Sequence, residues 1–241
     1  MISVTVVEAV QTAIAEIWRV LGPRGAVEGA FNAFRAGHRP EKGQYWYSAT
    51  VFNGLSEAEI DKLESQLPYP VPEQTGAKMP QPMRDLLSVT NGLHIHNLSI
   101  YGQQGRIDHG AGMPHSLSLA QLGHPPGIPK TWFAIGSMNG PSRSQGTLFL
   151  TEGDEVVLVH RDNGEIGPRW PDLADFLLAE IPRLLRIHDE KGDPLPGHSK
   201  LPGNTGGWED IAERAYRARV GWRGRRGRVL EWLREVWRRR T

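Results

Sequence analysis

Five of the nine histidines fall in one stretch of the chain together with an aspartate: His94, His96, Asp108, His109, His115 and His124. Imidazole nitrogens and carboxylate oxygens bind zinc and related divalent ions, so this stretch could form a metal centre. In a single strand, His94 and His96 would point to the same face and supply two ligands. No H-E-x-x-H or comparable fixed spacing occurs, however. We therefore interpret the histidines as surface or pH-responsive residues, and we expect no metal ion and no other cofactor.

Covalent and acid–base catalysis find little support in the sequence. The chain has no cysteine, and no serine lies in a G-x-S-x-G elbow. The segment GPSRSQGT, 140–147, lacks the Gly-Lys-Ser/Thr end of a phosphate-binding loop. The acidic pairs Glu57/Glu59 and Asp154/Glu155 fall at a predicted helix start and a predicted turn, where carboxylates are favoured without a catalytic role. We predict that the protein is not an enzyme and has no catalytic residue.

A different chemistry is available to the arginine-rich C-terminal segment, 208–241. Its apolar residues fall on one face of a predicted helix: Val229, Leu230, Leu233, Val236 and Trp237. The whole chain has a formal charge of only +1, so the positive charge is a local feature. The segment could dock its apolar face on the domain, bind an acidic protein or nucleic acid, or lie on a membrane surface. Docking is the preferred interpretation, and nucleic acid is not the favoured partner.

Hydrophobic periodicity predicts the elements that would position these residues. Apolar residues at spacings of three and four indicate an amphipathic helix over 4–21. Ser56 and Glu59 form a capping box at the start of a second helix. The other predicted elements are a strand at 45–52, a short helix from Met83 to an Asn91-Gly92 cap, a strand at 93–102, a long loop at 103–130, strands at 132–136, 147–150 and 154–160, and a helix at 172–187 that Pro182 kinks or restarts.

The middle of the chain carries these motifs in a recognisable order. MPQPMRDLLSVTNGL, which includes Pro80, Asn91 and Gly92, precedes a strand; WFAIGSMNG, with Ile135-Gly136, precedes a hairpin; DLADFLLAEI closes the series. Over roughly 53–188 this order resembles the SUKH superfamily, whose members are mostly bacterial immunity proteins and include a fungal regulator of cell-wall synthesis. The sequence departs from the family pattern at Leu93, where a second glycine is usual, and in the long loop.

The resemblance implies an α+β domain that binds another protein and has no catalytic chemistry. Typical bacterial members bind and neutralise a toxin delivered by neighbouring cells. The family varies most at its binding surface, so the resemblance assigns no binding residue here. Asn91 and Gly92 are expected to be structural, because both tolerate the left-handed conformation that follows a helix.

Together these patterns predict an α+β fold with a mostly antiparallel mixed sheet packed by helices and with helical N- and C-terminal extensions. We divide the chain into an extension at 1–52, a SUKH-like domain at 53–188, a linker at 189–207 and a basic helical segment at 208–241. The first basic residue is Arg19, and no apolar run is long enough to span a membrane, so we expect a cytoplasmic protein.

The preferred function is that of a non-catalytic protein-binding module, with a toxin domain as the expected partner. Four residues near predicted strand ends and loops are the candidate binding residues: Tyr101, Trp132, Arg143 and Arg161. One alternative is a regulatory or scaffold protein that binds an acidic partner or nucleic acid through its arginine-rich tail. The other is a metal-dependent enzyme that uses the histidine-rich loop.

Overall fold

The strands form where β-branched and aromatic residues alternate with small or polar ones, and they pair with their chain neighbours. The computed structural model describes residues 4–28, 33–38, 47–68, 79–103, 116–140, 145–203, 205, 207–214 and 217. Within these residues nine strands form one antiparallel sheet, and their order in space is their order in the chain. The predicted α+β fold is therefore confirmed.

The strands are short and each pairs with the next one along the chain. They are β1 (Ala26–Glu28), β2 (Ala33–His38), β3 (Tyr47–Phe52), β4 (Leu93–Ile95), β5 (Leu98–Ile100), β6 (Phe133–Asn139), β7 (Gln145–Leu150), β8 (Val156–His160) and β9 (Ile166–Trp170).

Most of the helices begin at a side chain that caps their first backbone N–H groups, whereas α3 begins after Pro80 without a side-chain cap. The predicted capping box is present at Ser56 and Glu59, and Thr5 and Glu8 form another at the first helix. The helices are α1 (Val6–Leu21), α2 (Glu57–Ser65), α3 (Gln81–Val89), α4 (Leu117–Ala120) and α5 (Leu173–Ile187), and a short 3-10 turn spans Gly22–Arg24. The helix α5 continues through Pro182.

One face of the sheet, called here the helix face, packs against the helices. The apolar stripe of α1 contacts α3 and α5, and all three contribute to one buried cluster with the sheet. Ile17, Met83 and Phe176 represent the three helices in this cluster, and each is fully buried. Burying a side chain of this size stabilises the fold by about 1.5–3 kcal/mol. The helix α1, which belongs to the predicted extension 1–52, therefore shares one core with α3 and α5.

The segment 93–102 is a hairpin, so the prediction of a single strand there is wrong. The strands β4 and β5 are joined by a tight turn at His96 and Asn97, and His96 has a φ of 51°. Histidine is one of the residues that adopts this left-handed region more often than most. The turn places His94 in a strand and His96 at its end, so the two do not share a face as a continuous strand would require.

Two segments that the sequence marks as loop or linker pack on the domain. In the stretch 103–130, the described residues from 116 onward include α4 and bury Leu117 and Ile128. In the stretch 189–207, the side chain of Arg183 donates hydrogen bonds to the carbonyls of Ser199 and Lys200 at 3.2 and 3.1 Å. Glycine and proline composition predicted turns in these segments, but it gave no sign of their packing.

The first turn of the C-terminal segment is anchored in the core. Trp208 is fully buried and lies edge-on to the ring of His160, with 5.0 Å between the ring centroids. Ala212, one helical turn later, is also buried. The arginine-rich residues 218–241, to which the predicted apolar helix face belongs, lie outside the described residues.

Candidate functional site

The face of the sheet opposite the helices, called here the second face, carries a row of polar side chains. Residues directly opposite each other on neighbouring strands share a face, and the register places six of them in one line across β2 to β7. They are Arg35, Thr50, His94, Ser99, Ser137 and Thr147, called here the polar row. The Nδ1 atom of His94 lies 2.8 Å from Oγ of Ser99, which links two neighbouring strands through their side chains.

Most of the polar row is buried, although the residues are polar. Arg35 is only 7 % exposed, and its guanidinium lies 5.6 Å from the centre of the Tyr47 ring. Its Nε atom is buried without a hydrogen-bond partner. Withdrawing polar groups from water costs free energy unless hydrogen bonds replace the lost ones. A buried polar row therefore stabilises the fold less than apolar side chains would.

The polar row ends at a pocket of about 340 Å³ on the second face. Its base is formed by β6 and β7, and one wall is formed by α4 and the turn after it. The lining residues are Tyr101, Ser116, Leu119, Ala120, Gly123, Ser137, Asn139, Gln145, Thr147 and Arg161. A volume of this size is at the lower end of the range for small-ligand sites, about 300–1,000 Å³.

The pairing of β6 with β7 sets the polar base of the pocket. Ser137 lies opposite Thr147, and Asn139 lies opposite Gln145, so all four side chains are on the second face. Between Ala134 and Gly136 the register shifts by a bulge. The bulge moves the alternation of β6 by one residue, and this puts Ser137 rather than Met138 in the pocket.

The motif residues Pro80, Asn91, Gly92 and Gly136 occupy positions with a structural role. A Cβ atom on Gly136 would lie 2.6 Å from the carbonyl oxygen of Ser99, so only glycine allows β5 and β6 to approach here. Gly92 has a φ of 86°, as the turn after α3 requires. The Asn91 side chain accepts a hydrogen bond from the Gln103 backbone N–H at 2.6 Å and donates one to its carbonyl at 3.2 Å. Pro80 lies at the N-terminal end of α3.

The described lining of the pocket carries a positive charge. Among the described lining residues, Arg161 is the one with a charged side chain, and it is exposed at the mouth. Its guanidinium donates a hydrogen bond to the side-chain oxygen of Gln145, and its backbone N–H donates to the Gln145 carbonyl at 2.9 Å. Burial raises the pKa of Tyr101, while a hydrogen bond with Ser137 and the charge of Arg161 partly oppose the shift. Tyr101 is therefore a neutral phenol at neutral pH.

Beside the pocket, the second face carries an apolar cluster that is covered, whereas Ile166 and Arg169 of the edge strand β9 are exposed on the same face. Phe149, Val157 and Val159 form a small cluster with Ile128 and Ala134, and the segment from α4 to residue 132 packs over it. Gln121 closes the cover, because its side chain accepts from the Ala134 N–H at 3.1 Å and donates to the Ala134 carbonyl at 2.7 Å. The helix α4 thus belongs both to this cover and to the wall of the pocket.

The structure brings together two of the four predicted binding residues. Tyr101 and Arg161 both line the pocket. Trp132 is half-buried in the apolar part of the same face, where its ring lies 6.3 Å from that of Phe149. Arg143 lies outside the described residues.

The histidines of the stretch that was considered as a metal centre are separated in the structure. His94 belongs to the polar row, His96 stacks on His188 with 3.9 Å between ring centroids, and Nε2 of His124 lies 2.8 Å from the Trp132 carbonyl oxygen. Asp108, His109 and His115 lie outside the described residues. In the part of the chain that the structure describes, no group of three His, Cys, Asp or Glu side chains is arranged to hold a metal ion.

Sequence reasoning missed the polar base of the pocket. Ser137, Asn139, Gln145 and Thr147 alternate with small or apolar residues in SMN and QGTLFL. Such an alternation is typical of strands with one polar face, and it could have identified these four side chains. Their convergence could not be identified in this way, because it depends on the register and on the bulge.

Comparison with known proteins adds no relative. The chain matches no protein-family model, no curated protein and no solved structure at a significant level. Among the described helices, none has the length and apolarity needed to cross a bilayer.

Proposed function

We propose that the chain is a non-catalytic protein-binding module whose partner contacts the second face at the pocket. The observation that carries this proposal is the lining, in which hydroxyls, amides and the guanidinium of Arg161 converge. These groups donate and accept hydrogen bonds, and none of those described is a carboxylate or an imidazole that could transfer a proton near neutral pH. The pocket is suited to recognition by hydrogen bonds and charge.

The contact between His94 and Ser99 is the arrangement that a covalent mechanism would use. However, Ser99 is buried and does not belong to the pocket lining, so its hydroxyl does not face the space that a substrate would occupy. The ring of Phe52 also lies near His94, with 6.1 Å between the ring centroids. A structural link between β4 and β5 accounts for this pair.

The finer proposal is an immunity-type protein that binds and neutralises a toxin. Its support is the order of SUKH-like motifs and the α+β fold in which Asn91, Gly92 and Gly136 occupy positions with a defined structural need. In such a complex the partner's active site or substrate surface would be blocked by shape and charge. Neutralisation by a stoichiometric complex calls for a Kd on the order of nanomolar, about −12 kcal/mol.

The test is capture from the native lysate with tagged wild-type protein, followed by titration of the captured protein. Two arginine variants are compared: Arg161→Ala in the pocket and Arg169→Ala on β9, an exposed residue that pairs with Glu155 at 3.0 Å. We expect Arg161→Ala to raise the Kd at least tenfold and Arg169→Ala to leave it unchanged. Equal affinities for both variants would remove the pocket from the interface.

A third variant tests the arginine-rich tail. The deletion begins at residue 218, because Trp208 and Ala212 are buried in the domain. Capture that disappears on this deletion and collapses between low and moderate salt would move the function to the tail and to an acidic partner or nucleic acid. Capture that persists with the deletion variant at moderate salt would support a function in the domain.

A further inference from the structure

We propose that the pocket of the second face is a carboxylate site, which takes an acidic side chain or a chain end of the partner protein. That the carboxylate comes from a protein rests on the proposed function. The carboxylate chemistry itself follows from the lining, through its charge, the kinds of donor it offers and its size.

The charge of the lining selects an anion. Arg161 is the charged side chain among the described lining residues, and its guanidinium donates a hydrogen bond to the side-chain oxygen of Gln145. A guanidinium has five N–H donors, so donors remain for a ligand. With no carboxylate in the described lining, a cationic ligand would meet like charge and find no counter-charge.

The donors fit a carboxylate better than a phosphate. A guanidinium and a carboxylate match in geometry and charge, one positive against one negative. A phosphate monoester carries about −1.5 to −2 at neutral pH and typically binds several cations or a group of backbone N–H donors. The described lining instead adds neutral hydroxyls and amides, from Tyr101, Ser137, Asn139 and Thr147, to one guanidinium.

The size of the pocket fits a side chain with part of its backbone. The pocket of about 340 Å³ is much larger than the roughly 30 Å³ that one molecule occupies in liquid water. A bare inorganic anion would leave most of this volume to solvent. The apolar wall at Leu119 and Ala120 can contact the methylene groups of a glutamate while its carboxylate reaches Arg161.

The experiment titrates the full-length protein with short peptides and follows the backbone amides by ¹H–¹⁵N NMR. The probes are acetyl-Ala-Glu-Ala-amide, its glutamine counterpart, acetyl-Ala-Ala-Ala with a free carboxyl end, and inorganic phosphate. We expect saturable shifts at Ser137, Asn139 and Gln145 with one or both carboxylate peptides. The glutamine peptide should bind at least tenfold more weakly, and the stronger carboxylate peptide identifies side chain or chain end as the source.

Three variants make the test specific. Arg161→Gln should weaken the carboxylate peptide at least tenfold, because it removes a charge-assisted hydrogen bond. Ala120→Leu, which fills the pocket from α4 and keeps the arginine, should weaken it as well. Arg169→Gln, on the exposed edge, should have no effect. Thermal unfolding of each variant verifies that the fold is retained.

Equal binding of the glutamate and glutamine peptides, full binding by Arg161→Gln, tighter binding of phosphate, or no saturation by any carboxylate would each overturn the assignment. The proposed function can fail independently of the carboxylate assignment. If the carboxylate peptide binds through Arg161 but the captured partner is indifferent to Arg161→Ala, the site stands and the partner lies elsewhere. If the partner requires Arg161 but no carboxylate peptide binds, the interface stands and the carboxylate assignment is wrong.

Discussion

The helix face and the second face of the sheet are both largely buried, but they bury different kinds of side chain. The helix face packs apolar residues of α1, α3 and α5 against the strands. The second face carries a covered apolar cluster that includes Phe149, and it carries the polar row that leads to the pocket. Burial of apolar groups stabilises the fold directly. Burial of hydroxyls and of a guanidinium removes their hydration, and the hydrogen bonds that they form inside the protein can only offset this loss. We infer that the helix face supplies stability and that the pocket end of the second face supplies recognition.

The largest expected effect is on the helix face, with Phe176→Ala. Phe176 is fully buried and lies edge-on to Trp170 at 4.9 Å between centroids. Its truncation should lower the free energy of unfolding by about 3–5 kcal/mol, measured by urea denaturation. The matched change on the second face is Thr147→Val, which conserves volume and should shift stability by only about 1 kcal/mol. A loss of stability with Thr147→Val as large as that with Phe176→Ala would contradict the inference that the helix face supplies the stability.

A smaller effect is expected where α2 is held to α3. Arg84 lies among three carboxylates: it pairs with Asp61 at 2.7 Å and also with Glu57 and Glu64. These contacts raise the pKa of Arg84, so it is always charged. Arg84→Ala leaves the carboxylates facing one another and should cost about 1–3 kcal/mol in urea. The exposed Arg186 provides the control, since Arg186→Ala should change stability by less than about 0.5 kcal/mol.

A third test concerns a charge buried on the helix face. Burial raises the pKa of Glu180 above 4.5, and the charge of Arg183 with its hydrogen bond at 2.6 Å partly opposes the shift. A carboxyl with a raised pKa in the folded state binds its proton more tightly there than in the unfolded chain. The stability that this carboxyl contributes is therefore fully present at a pH below its pKa in the unfolded chain. It is lost as the pH rises through the pKa of the folded state.

Wild type should accordingly lose stability relative to Glu180→Gln as the pH rises from below 4.5 towards neutrality. Urea unfolding of both proteins over this pH range measures the difference between their free energies of unfolding. The other carboxyl groups contribute equally to both proteins, so their contributions cancel in this difference. Asp175→Asn, at an exposed position in the first turn of the same helix, is the control for a general helix effect. A stability difference for Glu180→Gln that does not change with pH would contradict the raised pKa.

The smallest effect on stability is expected for Arg161→Ala. This variant should also show the clearest difference between an effect on stability and an effect on partner affinity. The side chain is exposed, so the free energy of unfolding should change by less than about 0.5 kcal/mol. Partner affinity should nevertheless fall at least tenfold, as calorimetric titration would show. A variant that loses stability but keeps its affinity would assign Arg161 to the framework and reverse the roles of the two faces.

Local patterns predicted much of the fold. The capping box at Ser56, the stripe of α1 and the apolar face of α5 depend on neighbours within one or two turns, and all three are present. The strands β1, β2 and β9 were not predicted. In β9, Gly167 and Pro168 weaken the strand pattern, but the edge position of this strand tolerates the missing N–H of proline.

The site was less accessible to sequence reasoning than the fold. Tyr101 and Arg161 could be selected as polar or aromatic residues near strand ends. Their meeting with Ser137 and Thr147 depends on pairing across four strands and on the bulge before Gly136, which are contacts between distant parts of the chain. Similarly, the composition of 189–207 predicted turns. The burial of Trp208, which anchors the end of this segment, is a tertiary contact that composition does not reveal.

The order of the strands also affects how the protein folds as it is synthesised. Each strand pairs with the next one along the chain, so the sheet can grow as the polypeptide emerges. The packing of α1 against α5 instead joins residues 6–21 to residues 173–187. At about 5–20 residues per second, roughly ten to thirty seconds separate the completion of the two helices. The part of α1 that packs against α5 thus stays uncovered until residue 187 has been synthesised, although α3 can pack against α1 earlier, and this early helix is where we expect a chaperone to act.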